Sequence, residues 1–325
     1  MQLVQRLRSI PLSKDIIVND DSHGKQSAIW LALLTGANEF YVSSPNLHEV
    51  RAYNRLAHYA RGELLVFVQG DCCLPSSPQW MMDASQLFRA LPNLAMLSAR
   101  AGFETVLTAG MSEDQRSNFT RGSAPHLPLD RAMPSDGNPS KSIPFNFVPG
   151  VDNGPLIYRR AALHRVGGFD ETYSCRAGHV AVHYDFEVAI RFWTSGWEVG
   201  VYYGAPSNGL GGRKSMRKLP MRVERHINEE WNAKRTQRLL ATHYATIVRR
   251  IAESTRQHLL PIPADRREAA RTSREEALGK LPNDERCFAG IDLEVLTRGP
   301  TSGSSPARAR PRGLKKQLRG LKKPA

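Results

Sequence analysis

Residues 63–68 read Glu-Leu-Leu-Val-Phe-Val and then break abruptly into Gln-Gly-Asp-Cys-Cys-Leu-Pro. A continuous apolar run of that length, ended by turn-forming and acidic residues, marks a strand covered on both faces of a sheet. Such a strand needs helical layers on either side, and the chain supplies them. Helical patterns at 26–34 and 47–61 come before it, and IIV at 16–18, EFYVS at 39–43 and LAMLSA at 94–99 are further strand runs. Strands alternating with helices predict an α/β fold with a mostly parallel sheet, whose ligands sit outside the carboxyl ends of the strands. Two acidic loops fall at such ends: Asp20 and Asp21 after the first run, and Asp71 after residues 63–68.

The remaining segments fill in the organisation. Residues 2–9 (QLVQRLRS) have the spacing of the end of an amphipathic helix. Residues 110–143, rich in Ser, Pro, Gly, Asn and Asp, read as a long excursion, and one of that length inside a domain is functional or disordered. Order resumes with a strand near 154–158, a short helix over 160–165, a Gly-Gly turn at 167–168, a helix over 184–195 and a strand near 198–203. Residues 221–260 predict long helices, with Ile227, Trp231, Ile247 and Ile251 at the spacing of a face that packs back on the domain. Three parts result: a domain over 1–220, a helical extension over 221–298, and a basic tail over 299–325 with too few apolar residues to pack and an expectation of disorder.

Charge sharpens this division. The chain carries +14, and its tail alone holds eight Arg and Lys with no acid, leaving +6 elsewhere. A surplus of +6 suits a site that receives a diphosphate, and it also suits many proteins that bind no anion. The tail reads as solvated, with no dedicated nucleic-acid partner expected. No run approaches the ~18 consecutive apolar residues of a membrane span. The expectation is therefore a cytoplasmic protein, or a Golgi or membrane-associated one if a longer parent carries an N-terminal anchor. Cys72, Cys73, Cys175 and Cys287 form no CxxC pair and read as reduced thiols.

Carboxylates converging on one cleft repel each other unless a cation or a positive ligand joins them. A divalent ion is the simplest answer, since Mg²⁺ and Mn²⁺ bind through one or two carboxylates plus substrate phosphates. The plainer alternative is a turn and a helix-cap region at Asp20 and Asp21 and a loop residue at Asp71.

Four segments, taken together, discriminate between these readings: DIIVNDDS (15–22), RAYNRLAHYARGELLVFVQGDCCLP (51–75), NGPLIYRRAALHRVGGFDE (153–171) and HYDFEVAIRFWTSGWEVG (183–200). In order and spacing they resemble glycosyltransferase family 2, over about residues 1–203. The resemblance implies a GT-A fold with a Rossmann-like, mostly parallel sheet flanked by helices. It implies inverting transfer of a sugar from a nucleotide-diphosphate donor to a glycan, lipid or protein acceptor, with Mn²⁺ or Mg²⁺ on the diphosphate. By position, Asp21 would contact the nucleotide base with Asp20 in support, and Arg51 and Asn54 would lie on the donor side. Asp71 would hold the metal, in a degraded Asp-x-Asp motif that reads Gln69-Gly70-Asp71. Asp185, at the start of a helix, would be the general base that deprotonates the acceptor. Glu187, Gly168 and Trp197 would support the acceptor side, although Trp193 and Trp197 also have core spacing. Arg213, in a basic loop, would meet the leaving group, and no metal-binding His stands between 198 and 220.

The resemblance also implies a strand ahead of residue 2 that is not among these residues. The expectation is an unpaired edge or a gap beside the Asp21 strand, in a shortened copy of a longer protein or in one that has lost donor binding. A family 2 domain that binds without catalysing is thus the alternative function, and a basic nucleic-acid-associated protein is a further one.

Overall fold

The computed structural model describes residues 2–21, 24, 26–45, 47, 49–70, 72–99, 102–103, 130–135, 138–151, 155–174, 183–204 and 219–279, with backbone only at 2, 102–103, 135, 138–141 and 219–230. All of them lie in one compact unit, Met1–Phe288.

The chain enters through helix α1 (Gln2–Arg8), strand β1 (Ile16–Asp20), helix α2 (Ser27–Leu33), strand β2 (Glu39–Ser43) and helix α3 (Glu49–Tyr59). The apolar run becomes β3 (Leu64–Phe67), followed by α4 (Gln79–Ala90) and β4 (Leu94–Ser98). Short β5 (Gly102–Phe103) pairs with β8 (Gly150–Val151), and between them β6 (Arg131–Ser135) and β7 (Asn138–Phe147) pair antiparallel. Then come β9 (Leu156–Arg159), α5 (Arg160–Arg165), α6 (Tyr184–Thr194), β10 (Glu198–Tyr202), the 40-residue α7 (Leu219–His258), β11 (Leu260–Pro261) and α8 (Ala264–Leu278).

The fold is α/β, a central sheet flanked by helices. Seven strands pair in the order β11-β6-β7-β10-β4-β9-β3. β3, β4 and β10 run the same way, as the strand–helix alternation requires, and β9 and β7 lie antiparallel between and beside them. The antiparallel strands come from the segments outside that alternation. Part of the expected excursion is therefore a β6–β7 hairpin; residues 104–129 lie outside the described residues. α4, which the sequence reading passes over, contributes Trp80, Leu87 and Phe88 to the core.

β1 and β2 pair in parallel as a separate two-stranded sheet. Between β1 and β3 lies a cavity of about 1000 Å³, lined by Ile16 to Asn19 on one side and Leu64 to Val68 on the other. Arg61, just ahead of β3, grips Asp15, just ahead of β1, through two hydrogen bonds of 2.8 and 3.0 Å. The two strands therefore start at the same level and run alongside one another with a gap between them. On the far side, Arg8 of α1 makes two 2.6 Å bonds to Glu39 of β2 and lowers that carboxyl to about 2.

The C-terminal helices share this core. Ile247 and Leu278 are fully buried, and Ile251 packs against the core. Trp231 departs from expectation at 69% exposed; its neighbour Asn232 is buried instead and donates to the Tyr173 carbonyl at 2.7 Å. Polar anchoring thus replaces apolar packing along that stretch of α7. Ile227 lies where only backbone is described. α8 ends at Gly279, whose φ of +73° suits a helix stop, and the Leu278 carbonyl accepts from the Ser77 amide at 3.1 Å. Among the described cysteines, Cys72 is a buried thiol and Cys73 is disulfide-bonded, which corrects the expectation of four thiols. Adjacent Cys72 and Cys73 carry no local spacing signal from which that bond could be read.

Arg274 of α8 pairs with Asp83 of α4, both side chains largely out of water, and burial lowers the guanidinium to about 10. Removing one partner of such a pair strands the other, so Asp83→Ala is expected to lower unfolding stability by about 3–5 kcal/mol. Asp83→Leu with Arg274→Met is expected to recover most of it. Urea unfolding of the three proteins checks this; equal losses in the single and double variants would show that the pair does not hold α8.

Candidate functional site

The site is built at the carboxyl ends of β1 and β3. Asp20 and Asp21 take different partners at the end of β1. Asp20 is buried and accepts from the Tyr41 hydroxyl at 3.0 Å, on the β2 side. Asp21 lines the cavity, and its Oδ1 accepts from the Ser44 hydroxyl at 2.7 Å and from the Leu47 amide at 2.6 Å. The loop after β2 thus fixes Asp21 facing the gap. Gln69 and Gly70, at the end of β3, line the same cavity. Asp71, the expected metal ligand, and Arg213 lie outside the described residues.

A residue that the sequence reading misses joins these loops. Glu49, in the first turn of α3, also lines the cavity. Its Oε1 accepts from Gln69 Nε2, from the Tyr184 hydroxyl at 3.0 Å and from the Tyr53 hydroxyl at 3.3 Å. In the sequence, Glu49 reads only as an acid at a helix start, a common dipole effect. Its partners are 20 and 135 residues away for Gln69 and Tyr184, beyond any local pattern.

Tyr184 opens α6 and precedes Asp185, which is 5% exposed and accepts from the Phe186 amide at 3.0 Å. The residue before Tyr184, His183, has φ +68°, the only non-glycine in the left-handed region among the described residues. Such strain persists only where surrounding contacts impose it. Burial pushes the phenols of Tyr53, Tyr158 and Tyr184 well above their usual range. The Tyr158 phenol is raised further by the charges of Asp185 and Glu49.

The other expected site residues group elsewhere. Asn54 donates to the Phe169 carbonyl at 2.9 Å, accepts from the Phe169 amide at 2.8 Å, and reaches Glu171 at 3.1 Å. Arg51 lies 3.7 Å from that same Glu171. Gly168 has φ +76°, and a Cβ there would sit 2.8 Å from Asn54 Oδ1. These three residues clamp the Gly-Gly turn onto α3 and do not line the cavity. Glu187 is held by Arg191 in a two-bond pair of 2.5 and 2.7 Å. Trp193 is fully buried and donates to the Val148 carbonyl at 3.0 Å, and Trp197 is half-buried against the core. Among the described residues no group of three or more His, Cys, Asp and Glu is placed to hold a metal, and no helix is long and apolar enough to cross a membrane.

No family model and no curated protein matches the sequence. Solved structures resemble the fold, two of them as follows. A mannosyltransferase from Pyrobaculum calidifontis, in complex with GDP-mannose and Mn²⁺, is 15% identical with a TM-score of 0.45, over 90% of this chain and 76% of its own. GalNAc-T7 with UDP, GalNAc and Mn²⁺ is 12% identical with a TM-score of 0.41, over 88% of this chain and 52% of its own. At these identities, what the chain does has to be read from its own residues.

Two tests follow from the geometry. Gly168→Ala combines a forbidden φ with a contact on Asn54, and is expected to cost more than about 1 kcal/mol in urea unfolding; no change would mean that the turn is free to rearrange. The raised phenols of Tyr53, Tyr158 and Tyr184 favour the fold as long as they stay protonated. Their contribution is complete below the unfolded value of about 10 and is lost as pH rises beyond it toward the higher folded values. Phenolate absorbance is therefore expected to appear together with loss of near-ultraviolet circular dichroism. Ionisation within an intact fold would contradict this.

Proposed function

We propose that the chain is a metal-dependent glycosyltransferase that moves a sugar from a nucleotide-diphosphate donor to an acceptor hydroxyl with inversion. The observation that carries this reading is one cavity mouth lined by Asp21, Glu49, Gln69 and Gly70, the last immediately before Asp71. Tyr184, next to Asp185, reaches Glu49 from the other side. The oxygen donors there, carboxylates and the Gln69 amide oxygen, are the hard ligands that Mn²⁺ and Mg²⁺ prefer.

In this reading Asp21 accepts from the nucleotide base, held by Ser44 and Leu47, with Asp20 anchoring the strand behind it. Asp71 would hold the cation, which would offset charge on the departing diphosphate. Asp185, at the helix N-terminus, takes the proton from the acceptor hydroxyl as that oxygen attacks the anomeric carbon. Glu187 and Gly168 shape the acceptor side through Arg191 and Asn54, with Trp197 behind them, and Arg213 meets the leaving group. Arg51 and Asn54 act on the donor side by fixing α3 against the Gly-Gly turn. The Gln69 substitution and the divided sheet favour a second reading, a domain that binds nucleotide without transferring sugar.

Calorimetric titration of UDP and GDP, with and without Mn²⁺, tests the donor site. Metal-dependent binding is expected in the wild type and is lost in Asp71→Ala; no binding to either nucleotide would overturn the proposal. Donor-sugar hydrolysis separates the two readings. Asp185→Asn is expected to slow it about 100- to 10,000-fold with nucleotide affinity kept. Binding with no hydrolysis in the wild type would leave the non-catalytic reading.

A further inference from the structure

We propose that Glu49 is a positioning residue, whose carboxylate locks the loop leading to Asp71 and the helix carrying Asp185 into one fixed relation. The proposal rests on the reading of those two aspartates given above. One oxygen, Glu49 Oε1, accepts from Gln69, two residues before Asp71, and from Tyr184, one residue before Asp185. The third donor, Tyr53, sits one turn along Glu49's own helix and packs at 4.6 Å between ring centroids on Phe67, the last residue of β3. Tyr53 also meets the Tyr184 ring edge-on at 6.2 Å. The carboxylate thus stands where α3, β3 and α6 meet.

A charge that served only the helix dipole would need none of these partners, since that effect acts within the first turn. An ionised acceptor makes each bond stronger than a neutral one would. The bond to Gln69 also accounts for the departure in the Gln69-Gly70-Asp71 motif. An Asp at 69 would place a second carboxylate against Glu49, whereas the Gln69 amide donates to it. A base and a donor anchor act on the same substrate only at fixed separation, and a displacement of about 1 Å between them costs on the order of 100-fold in rate.

The test uses the full chain in four forms: wild type, Glu49→Gln, Tyr184→Phe, and the exchanged pair Glu49→Gln with Gln69→Glu. Hydrogen exchange is read in peptides spanning 66–74 and 183–188, with thermal unfolding to confirm that each variant folds. Glu49→Gln is expected to speed exchange about 10-fold in both segments, and Tyr184→Phe in 183–188 alone. The exchanged pair restores a carboxylate–amide bond and is expected to slow 66–74 again. Donor hydrolysis in Glu49→Gln is expected to lose more in turnover than in nucleotide affinity, with partial recovery in the exchanged pair. A change confined to one segment in Glu49→Gln, or no recovery in the exchanged pair, would overturn the proposal. If the wild type binds neither nucleotide, the glycosyltransferase reading falls, and the exchange data still decide whether Glu49 ties the segments.

Discussion

The Glu49 carboxylate, drawn partly out of water at the start of α3, accepts hydrogen bonds from Gln69, Tyr53 and Tyr184. An ionised group in that setting is tolerated only when donors replace the lost water. Those donors come from the end of a strand, from the same helix and from the start of a distant helix, so satisfying one charge aligns three elements. The aromatic packing around them follows. Phe67, Tyr158 and Phe169 meet edge to face at 5.4 to 5.6 Å. Asn54 then fixes the Gly-Gly turn that brings Phe169 there. Gln69, which joins this cluster, follows the carboxyl end of β3, where an α/β sheet leaves its loops to bind ligands.

Much of this was legible in the residues. The run at 63–68, the segment EFYVS at 39–43 and the helix starting at Tyr184 stand close to where periodicity puts them, because continuous apolar strands and amphipathic helices carry their own signal. The pairing of Asp21 with the end of β3 was legible for the same reason, as both follow strands. What was not legible depends on contacts distant in sequence. Glu49 looks like an ordinary acid in a first helical turn until Gln69 and Tyr184 are brought to it. Asn54 and Arg51 take as partners Phe169 and Glu171, more than 100 residues away, which no local pattern names. Trp231 looks like a core anchor, and α7 uses Asn232 and Thr236 there instead. The β6–β7 hairpin is hidden because its Pro, Ser, Asn and Gly composition mimics a loop.

The divided sheet explains where the fold is weakest. β1 and β2 are joined to the rest by Arg8, by Arg61 and by the walls of the cavity, with no strand pairing to β3 among the described residues. None of the residues of α2 is buried, and Ile29 and Leu31 stand 59% and 61% exposed. Since burying one such side chain stabilises by about 1.5–3 kcal/mol, this layer gains little of what holds the β4 side together, where Leu94 to Leu97 are fully buried. Asp21 is therefore carried on the least secured part of the molecule, while Asp185 is carried on one of the best secured.

The proposed donor site lies between the ends of β1 and β3. A crystal structure of the protein grown with Mn²⁺ and whichever of UDP or GDP binds tests it most directly. Anomalous density for manganese is expected against Asp71, with the diphosphate beside Gln69 and Gly70 and the base hydrogen-bonded to Asp21. Nucleotide bound elsewhere, with neither Asp21 nor Asp71 in contact, would contradict it.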